Sequence, residues 1–232
     1  MTAVTGAEPP VTEPTPQAAW VPPQSTPTRL VLLRHGVTEH TIGRRFAGRA
    51  DLPLAELGVR QARAAAERVA AIGPVDTVLC SPLQRAVSTA EAVTARLGLA
   101  APTVVEALVE TDFGDWDSHR FADVEQRWPD QLSAWSAATD VAPPNGESFD
   151  EVSRRVLAAK AAILSEYAGR TVVAVSHVTP IKVLVVDAVQ APLSSLFRMF
   201  LDPASICVID YYSDGPVSLR SFNDNAHLAG LG

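Results

Sequence analysis

Apolar and polar positions along the chain switch between two periods. The runs "RLVLL" (29–33), "VDTVLC" (75–80) and "TVVAVS" (171–176) are nearly continuous in apolar residues. Such runs predict strands buried on both faces. Between them the apolar residues recur every three or four positions. "LGVRQARAAAERVAAI" sets Leu57, Ala62, Ala65, Val69 and Ile72 on one helical face. Phe149, Val152, Val156, Ala159 and Ile163 do the same further on. Ser148 and Glu151 form a capping box ahead of that long helix, and Ser81, Pro82 and Gln84 predict another at the start of "SPLQRAVSTAEAVTARLG", which Gly98 ends. Thr179-Pro180 opens a further helix after His177. "PTVVEALVE" reads as a short strand and loop, and "SICVIDYY" and "VSLRSF" as two closing strands. Residues 112 to 145, rich in Trp and Asp, predict short helices and loops over one end of the sheet. Strands separated by helices of this length give an α/β fold, a three-layer α/β/α sandwich whose mostly parallel sheet carries helices on both faces.

Residues 1–28 fall outside this pattern. They hold seven of the 18 prolines and neither Lys nor Arg, so they read as a disordered Pro-rich linker or tail, with the folded domain over 29–232. The same composition joins domains, so the expectation includes an N-terminal domain tethered in a longer parent chain. Net charge is −7 and the sequence pI about 5.2, against nucleic acid or an anionic membrane as partner. No apolar run is long enough to span a bilayer, and no basic and apolar export leader precedes the fold. Cys80 and Cys207 lie in separate apolar runs without C-x-x-C spacing, which predicts two reduced core thiols in a cytoplasmic protein.

Candidate chemistry enters where the strands end. "VLLRH" delivers Arg34 and His35, and "VAVSH" delivers Ser176 and His177. "VLCSPLQR" ends on the same side and raises Arg85 from the first helical turn. In open α/β sheets, ligands bind beyond the carboxyl ends of the strands. Two arginines and two imidazoles there suit a dianionic phosphate, arginine for bidentate oxygen contacts and imidazole for chemistry. Each signal is weak alone. Three strand ends coinciding is a stronger one.

The segments "LLRHGVTE", "RRFAGRADLPLAELGVRQA", "LCSPLQRAVSTAEAV", "LVETDFGDW" and "VVAVSHVTPIKVL" together resemble the histidine phosphatase superfamily, the phosphoglycerate-mutase-like fold, in the family's order. "LVETDFGDW", "PPNGESFDEVSRRV" and "SHVTPIKVL" look most like the acid-phosphatase half of actinobacterial ribonuclease H fusion proteins, with alpha-ribazole phosphatases close by. The resemblance implies a nucleophile at His35, the second pocket histidine at His177 and a general acid at Glu110, with Asp112 its rival. It also implies phosphate-binding arginines at Arg34, Arg85 and Arg45. Two positions depart from the pattern. Thr41 stands where many members carry a phosphate-touching Asn, and Trp116-Asp117-Ser118 replaces W-E-G.

The expectation is an acid phosphatase acting on a small phosphorylated metabolite through a phosphohistidine at His35, with no cofactor and no metal. Alternatives are an alpha-ribazole phosphatase, or a phosphate-binding module with little turnover on a partner domain. A mutase fits less well, because no long insertion follows Glu110. A metallohydrolase lacks H-x-H or H-E-x-x-H spacing. His40, His119 and His227 have no partner legible in the sequence, though His40 lies near the pocket mouth. Trp116, Trp128 and Trp135 are lid candidates, with core packing expected for at least two. Oligomeric state stays open.

Overall fold

The computed structural model describes residues 23–231. In chain order the elements are β1 (Thr28–Arg34), α1 (Glu39–Ile42), α2 (Glu56–Ala70), β2 (Thr77–Cys80), α3 (Gln84–Leu97) and β3 (Thr103–Val104). Then come α4 (Phe121–Arg127), α5 (Pro129–Ala137), α6 (Phe149–Glu166), β4 (Thr171–Ser176), α7 (Val178–Ala188), β5 (Ile206–Tyr211) and β6 (Val217–Asp224). Of the tail expected over 1–28, residues 1–22 lie outside the described residues. Gln24 and Ser25 donate hydrogen bonds to the Asp214 carboxylate, and Thr28 already belongs to β1.

The strands form one sheet in the order β3-β2-β4-β1-β5-β6. β3, β2, β4 and β1 run parallel, while β5 and β6 add antiparallel at the β1 edge. The side-chain period of two splits each central strand between two cores. Leu30, Leu32, Val172, Ala174, Cys207 and Ile209 pack with residues of α6 and α7. Val31, Leu33, Val173, Val175, Ile206 and Val208 pack with α2 and α3. Neither face of β1 meets water, which is why its sequence shows no alternation. Each of its four core side chains, 1% exposed or less, contributes about 1.5–3 kcal/mol of burial.

Helix α6 starts as its sequence predicts. Ser148 Oγ accepts from the Glu151 amide, and the Glu151 carboxylate accepts from the Ser148 amide. Gly98 ends α3 at φ +67°, a left-handed conformation glycine adopts without strain. The start of α3 differs from expectation. Its N-cap is Leu83, without a side-chain cap. The Gln84 amide instead donates to Asp51, which approaches from a distant loop. The two share the work expected of Ser81: its hydroxyl accepts from the Leu83 amide and also meets His177, while a tertiary carboxylate takes the Gln84 amide.

Among the described residues, no helix is long and apolar enough to cross a membrane.

Candidate active site

Strand register brings the site together. Arg34 pairs with Ser176 across β1 and β4, and Cys80 with Val175 across β2 and β4, so three strands end level. The ladder continues past those ends: the His35 amide donates to the Ser176 carbonyl and the Ser81 amide to the Val175 carbonyl. His35 and His177 therefore meet, ring centroids 5.0 Å apart and planes inclined at 58°.

The His35 contacts define its tautomer. Nδ1 lies 2.7 Å from the Gly36 carbonyl oxygen, a contact that requires the proton on Nδ1 and leaves a lone pair on Nε2. The Arg85 Nε–H points at that nitrogen from 3.3 Å. Burial, with Arg85 and then Arg34 nearby, holds His35 well below the ordinary histidine pKa. Burial and the His35 ring do the same for His177. His177 Nε2 is 2.7 Å from the Ser81 hydroxyl, and its Nδ1 is buried without a partner.

Arg85 is wholly buried and binds more than His35. It donates to the carbonyls of Ala47, Gly48 and Ala50. Asp117 holds the same loop from the opposite side, accepting from the Gly48 and Ala50 amides. A planar five-donor guanidinium suits this role, and an ammonium would not span it. Arg34 donates to the Leu201 carbonyl and keeps a buried, unpartnered Nε. Burial pushes its pKa down to about 10, against the pull of Glu110 and Asp202, so it stays charged.

A cavity of about 350 Å³ opens in front of His35. Of the residues named from sequence, Arg34, His35, Thr41, Arg45 and Glu110 line it. Arg85 and His177 are not among the lining residues; Arg85 contacts His35 at Nε2 and His177 packs against its ring. Glu110 is locked at the start of α7: it accepts from the amides of Thr111, Val178 and Thr179. A helix N-terminus is a natural seat for a carboxylate. Asp112, its rival, does not line the cavity and accepts from the Gly114 amide. Arg45 donates to the Ser118 carbonyl at an exposed position. Thr41 closes a capping box with Thr38 on the short helix α1, so its hydroxyl is shared with the backbone.

Two participants escaped the sequence reading. Lys182, one turn into α7, lines the cavity and donates to the Leu196 carbonyl. Burial lowers its pKa, with the Glu110 charge acting the other way. Its position on the same helix as the Glu110 seat was the available signal. Arg155 of α6 donates to the carbonyls of Ala107, Val109 and Glu110 and pairs with Glu147, which anchors the backbone that carries Glu110. In sequence it reads as an ordinary helix-surface charge.

Of the three tryptophans, Trp135 lines the cavity, whereas Trp116 is core and Trp128 packs beside it. His40 is absent from the cavity wall, His119 packs edge-on against Trp128, and His227 binds the Ala204 carbonyl. Among the described residues, no group of three or more His, Cys, Asp or Glu side chains converges as a metal-holding cluster.

A doubly covered, mostly parallel sheet that gathers two neutral histidines and buried arginines at its carboxyl edge defines the class of α/β proteins that handle small anions at that edge. Within that class the family is shown by sequence: residues 30–225 match the histidine phosphatase superfamily (branch 1), and the chain belongs to it. It is 45% identical over 218 residues to the bifunctional protein Rv2228c of Mycobacterium tuberculosis, covering 94% of this chain and 59% of the relative. The chain thus spans about three-fifths of that relative. It is 30% identical to the adenosylcobalamin/alpha-ribazole phosphatase of Salmonella typhimurium, over 85% of this chain and 97% of that protein. Among solved structures, the mycobacterial glucosyl-3-phosphoglycerate phosphatase Rv2419c superposes with a TM-score of 0.77 at 30% identity, covering 86% of this chain and all of that one.

Proposed function

We propose that the chain is a phosphomonoesterase that works through a phosphohistidine on His35. The observation that carries the reading is the state of His35. Its ring is kept neutral, its proton is held on Nδ1 by the Gly36 carbonyl, and its Nε2 lone pair sits among arginines beside a cavity. Neutral imidazole is a competent nucleophile toward phosphorus, and two displacements are each easier than one.

In the first step Nε2 attacks phosphorus, the ester P–O bond breaks, and Glu110 in its acid form gives its proton to the leaving oxygen. In the second step water attacks the phosphohistidine while the Glu110 carboxylate takes its proton. The P–N bond breaks and inorganic phosphate leaves. Charge on the equatorial oxygens is met by Arg34 and by the Arg85 Nε–H, which is already aimed at the reacting nitrogen. Arg45 at the cavity mouth and Thr41 on its wall are assigned contacts to the substrate phosphate. His177 contributes through its packing on the His35 ring, against which its hydrogen bond to Ser81 orients it.

The depressed His35 pKa lets the nucleophile work on the acid side. An ordinary histidine is increasingly protonated below about pH 6.5 and loses its lone pair, whereas this one stays neutral there. Within this reading an alpha-ribazole phosphatase is the second candidate, supported by the similarity to the Salmonella enzyme across nearly its whole length. The Pro-rich segment ahead of Gln24 is proposed as a linker to a further domain, supported by the greater length of the bifunctional relative. Two buried, unpaired thiols fit a reducing compartment, and we assign the protein to the cytoplasm.

The test is hydrolysis of p-nitrophenyl phosphate from about pH 4 to about pH 8 with EDTA present, for the native chain and His35→Ala. Activity that survives EDTA, is greatest on the acid side and falls by at least about 1,000-fold in the variant is the expected result. Full activity in His35→Ala overturns the mechanism, and loss of activity with EDTA points to a metallohydrolase.

A further inference from the structure

Part of the cavity wall has a different chemistry from the groups proposed to meet phosphate. Phe46, Phe113, Trp135, Phe149, Leu196 and Phe197 line it. Five of these six are aromatic, and they form one connected set. Phe46 meets Phe113 at 4.9 Å between centroids and Trp135 at 6.2 Å, and Trp135 meets Phe149 at 5.0 Å and Phe197 at 6.2 Å. Several of the contacts are edge-on, the arrangement that leaves ring faces and edges available to a further ring. The apolar character continues to the rim. Phe121 stacks on Phe46 and is half exposed, Phe197 is 37% exposed, and Ile42, beside Thr41, is 57% exposed.

A phosphoryl group takes up only a small part of about 350 Å³, so the rest must accept the alcohol portion of the ester. Water packs poorly against the aromatic part of this wall, and a polyhydroxylated alcohol lying on those rings would lose its hydration without equivalent partners. The polar groups on the wall besides the proposed phosphate ligands and Glu110 are Thr179, Lys182, whose ammonium already donates to a carbonyl, and the Trp135 indole N–H, which is buried without a partner and is a single donor at the edge of an aromatic face. An uncharged ring fits the aromatic part of this wall.

Resting on the phosphomonoesterase reading, we propose that the alcohol portion of the substrate carries an uncharged aromatic ring, which the Phe46–Phe113–Trp135–Phe149–Phe197 wall receives while the phosphate lies at His35. No sugar is required for this recognition. The ring is read by its own faces and edges.

The experiment compares kcat/KM for benzyl phosphate, cyclohexylmethyl phosphate, butyl phosphate and glycerol phosphate. All four leave as alkoxides of similar basicity, so differences report on binding of the alcohol portion rather than on leaving-group chemistry. The expected result is a preference of about tenfold or more for benzyl over both butyl and glycerol phosphate, with cyclohexylmethyl below benzyl. Phe197→Leu, at a partly exposed site that the core does not depend on, narrows the benzyl-to-butyl ratio. Trp135→Leu narrows it further if the variant folds, which its circular dichroism reports. Equal rates for all four esters leave the phosphatase reading standing and overturn the aromatic one. A cyclohexylmethyl rate equal to that of benzyl also overturns it, because the wall then reads apolar bulk. Hydrolysis of none of the four overturns the phosphomonoesterase reading and takes this inference with it.

Discussion

At the scale of single residues, most of the candidate chemistry depends on groups held in one protonation state or one orientation. Glu110 has no freedom to swing, since three backbone amides grip it, two of them opening α7. If it donates the proton to the leaving oxygen, Glu110→Gln lowers kcat by about 100- to 10,000-fold for alkyl phosphates. The loss is much smaller for p-nitrophenyl phosphate, whose leaving group departs without a proton. Equal losses for both ester types would assign Glu110 a purely structural role. Ser118 shows a different residue-scale effect. It stands where the family pattern carries glycine, and its φ is +69°, in the left-handed region that favours glycine. Ser118→Gly is therefore expected to stabilise the fold by about 1 kcal/mol, measured as a higher denaturant midpoint at unchanged slope. The departure from W-E-G, opaque in the sequence, is a matter of backbone strain rather than of lost chemistry. The Asp117 beside it keeps its task, gripping the loop that Arg85 holds from the other side.

At the scale of elements, the seating of the His35 loop depends on a close approach between two glycines. A Cβ added to Gly36 would lie 2.5 Å from the Gly58 carbonyl oxygen, and one added to Gly58 would lie 2.1 Å from the Val37 carbonyl oxygen. Gly58 is inside α2, where replacing glycine by alanine ordinarily stabilises by about 1 kcal/mol. Here the sign reverses. Gly58→Ala must push α2 away from the segment that follows His35, and a net loss of about 1–3 kcal/mol is expected, with reduced activity. A stability gain in thermal unfolding would show that the loop yields more easily than the contact implies. The same scale explains the misplaced start of α3. A sequence window sees Ser81, Pro82 and Gln84 in capping order, but it does not contain Asp51, whose carboxylate takes the Gln84 amide. Ser81 keeps the Leu83 amide and meets His177 as well.

At the scale of the whole molecule, the two buried histidines make stability depend on pH. Both are held well below 6.5 by burial and neighbouring cations, whereas in the unfolded chain they titrate near 6.5. Between their folded values and about 6.5 the unfolded state binds more protons, so stability is fully present above about 6.5 and is lost as pH falls through that window. The slope approaches about 1.4 kcal/mol per pH unit for each histidine. Denaturant midpoints measured from about pH 7 downward check this, and His177→Asn should flatten the curve. A bound phosphate dianion opposes the effect, because its charge favours the imidazolium forms.

The sequence by itself determined the layers and the place where chemistry gathers. Strands buried on both faces and amphipathic helices leave few arrangements other than a doubly covered sheet, and Arg34, His35, Arg85 and His177 all stand at its carboxyl edge because local pattern sets where each strand stops. Only the tertiary structure decided how those groups are used. It put Arg85 against His35 Nε2, His177 against the His35 ring and Glu110 at the start of α7, brought Lys182 to the cavity wall, and gave Arg155 the backbone that carries Glu110. It also separated Trp135, which faces the cavity, from Trp116, which does not. The physical reason is range. Burial period and capping act between residues a few positions apart, whereas a carboxylate's grip on a distant helix, or the side of a ring that meets water, depends on chain segments that only the folded core brings into contact.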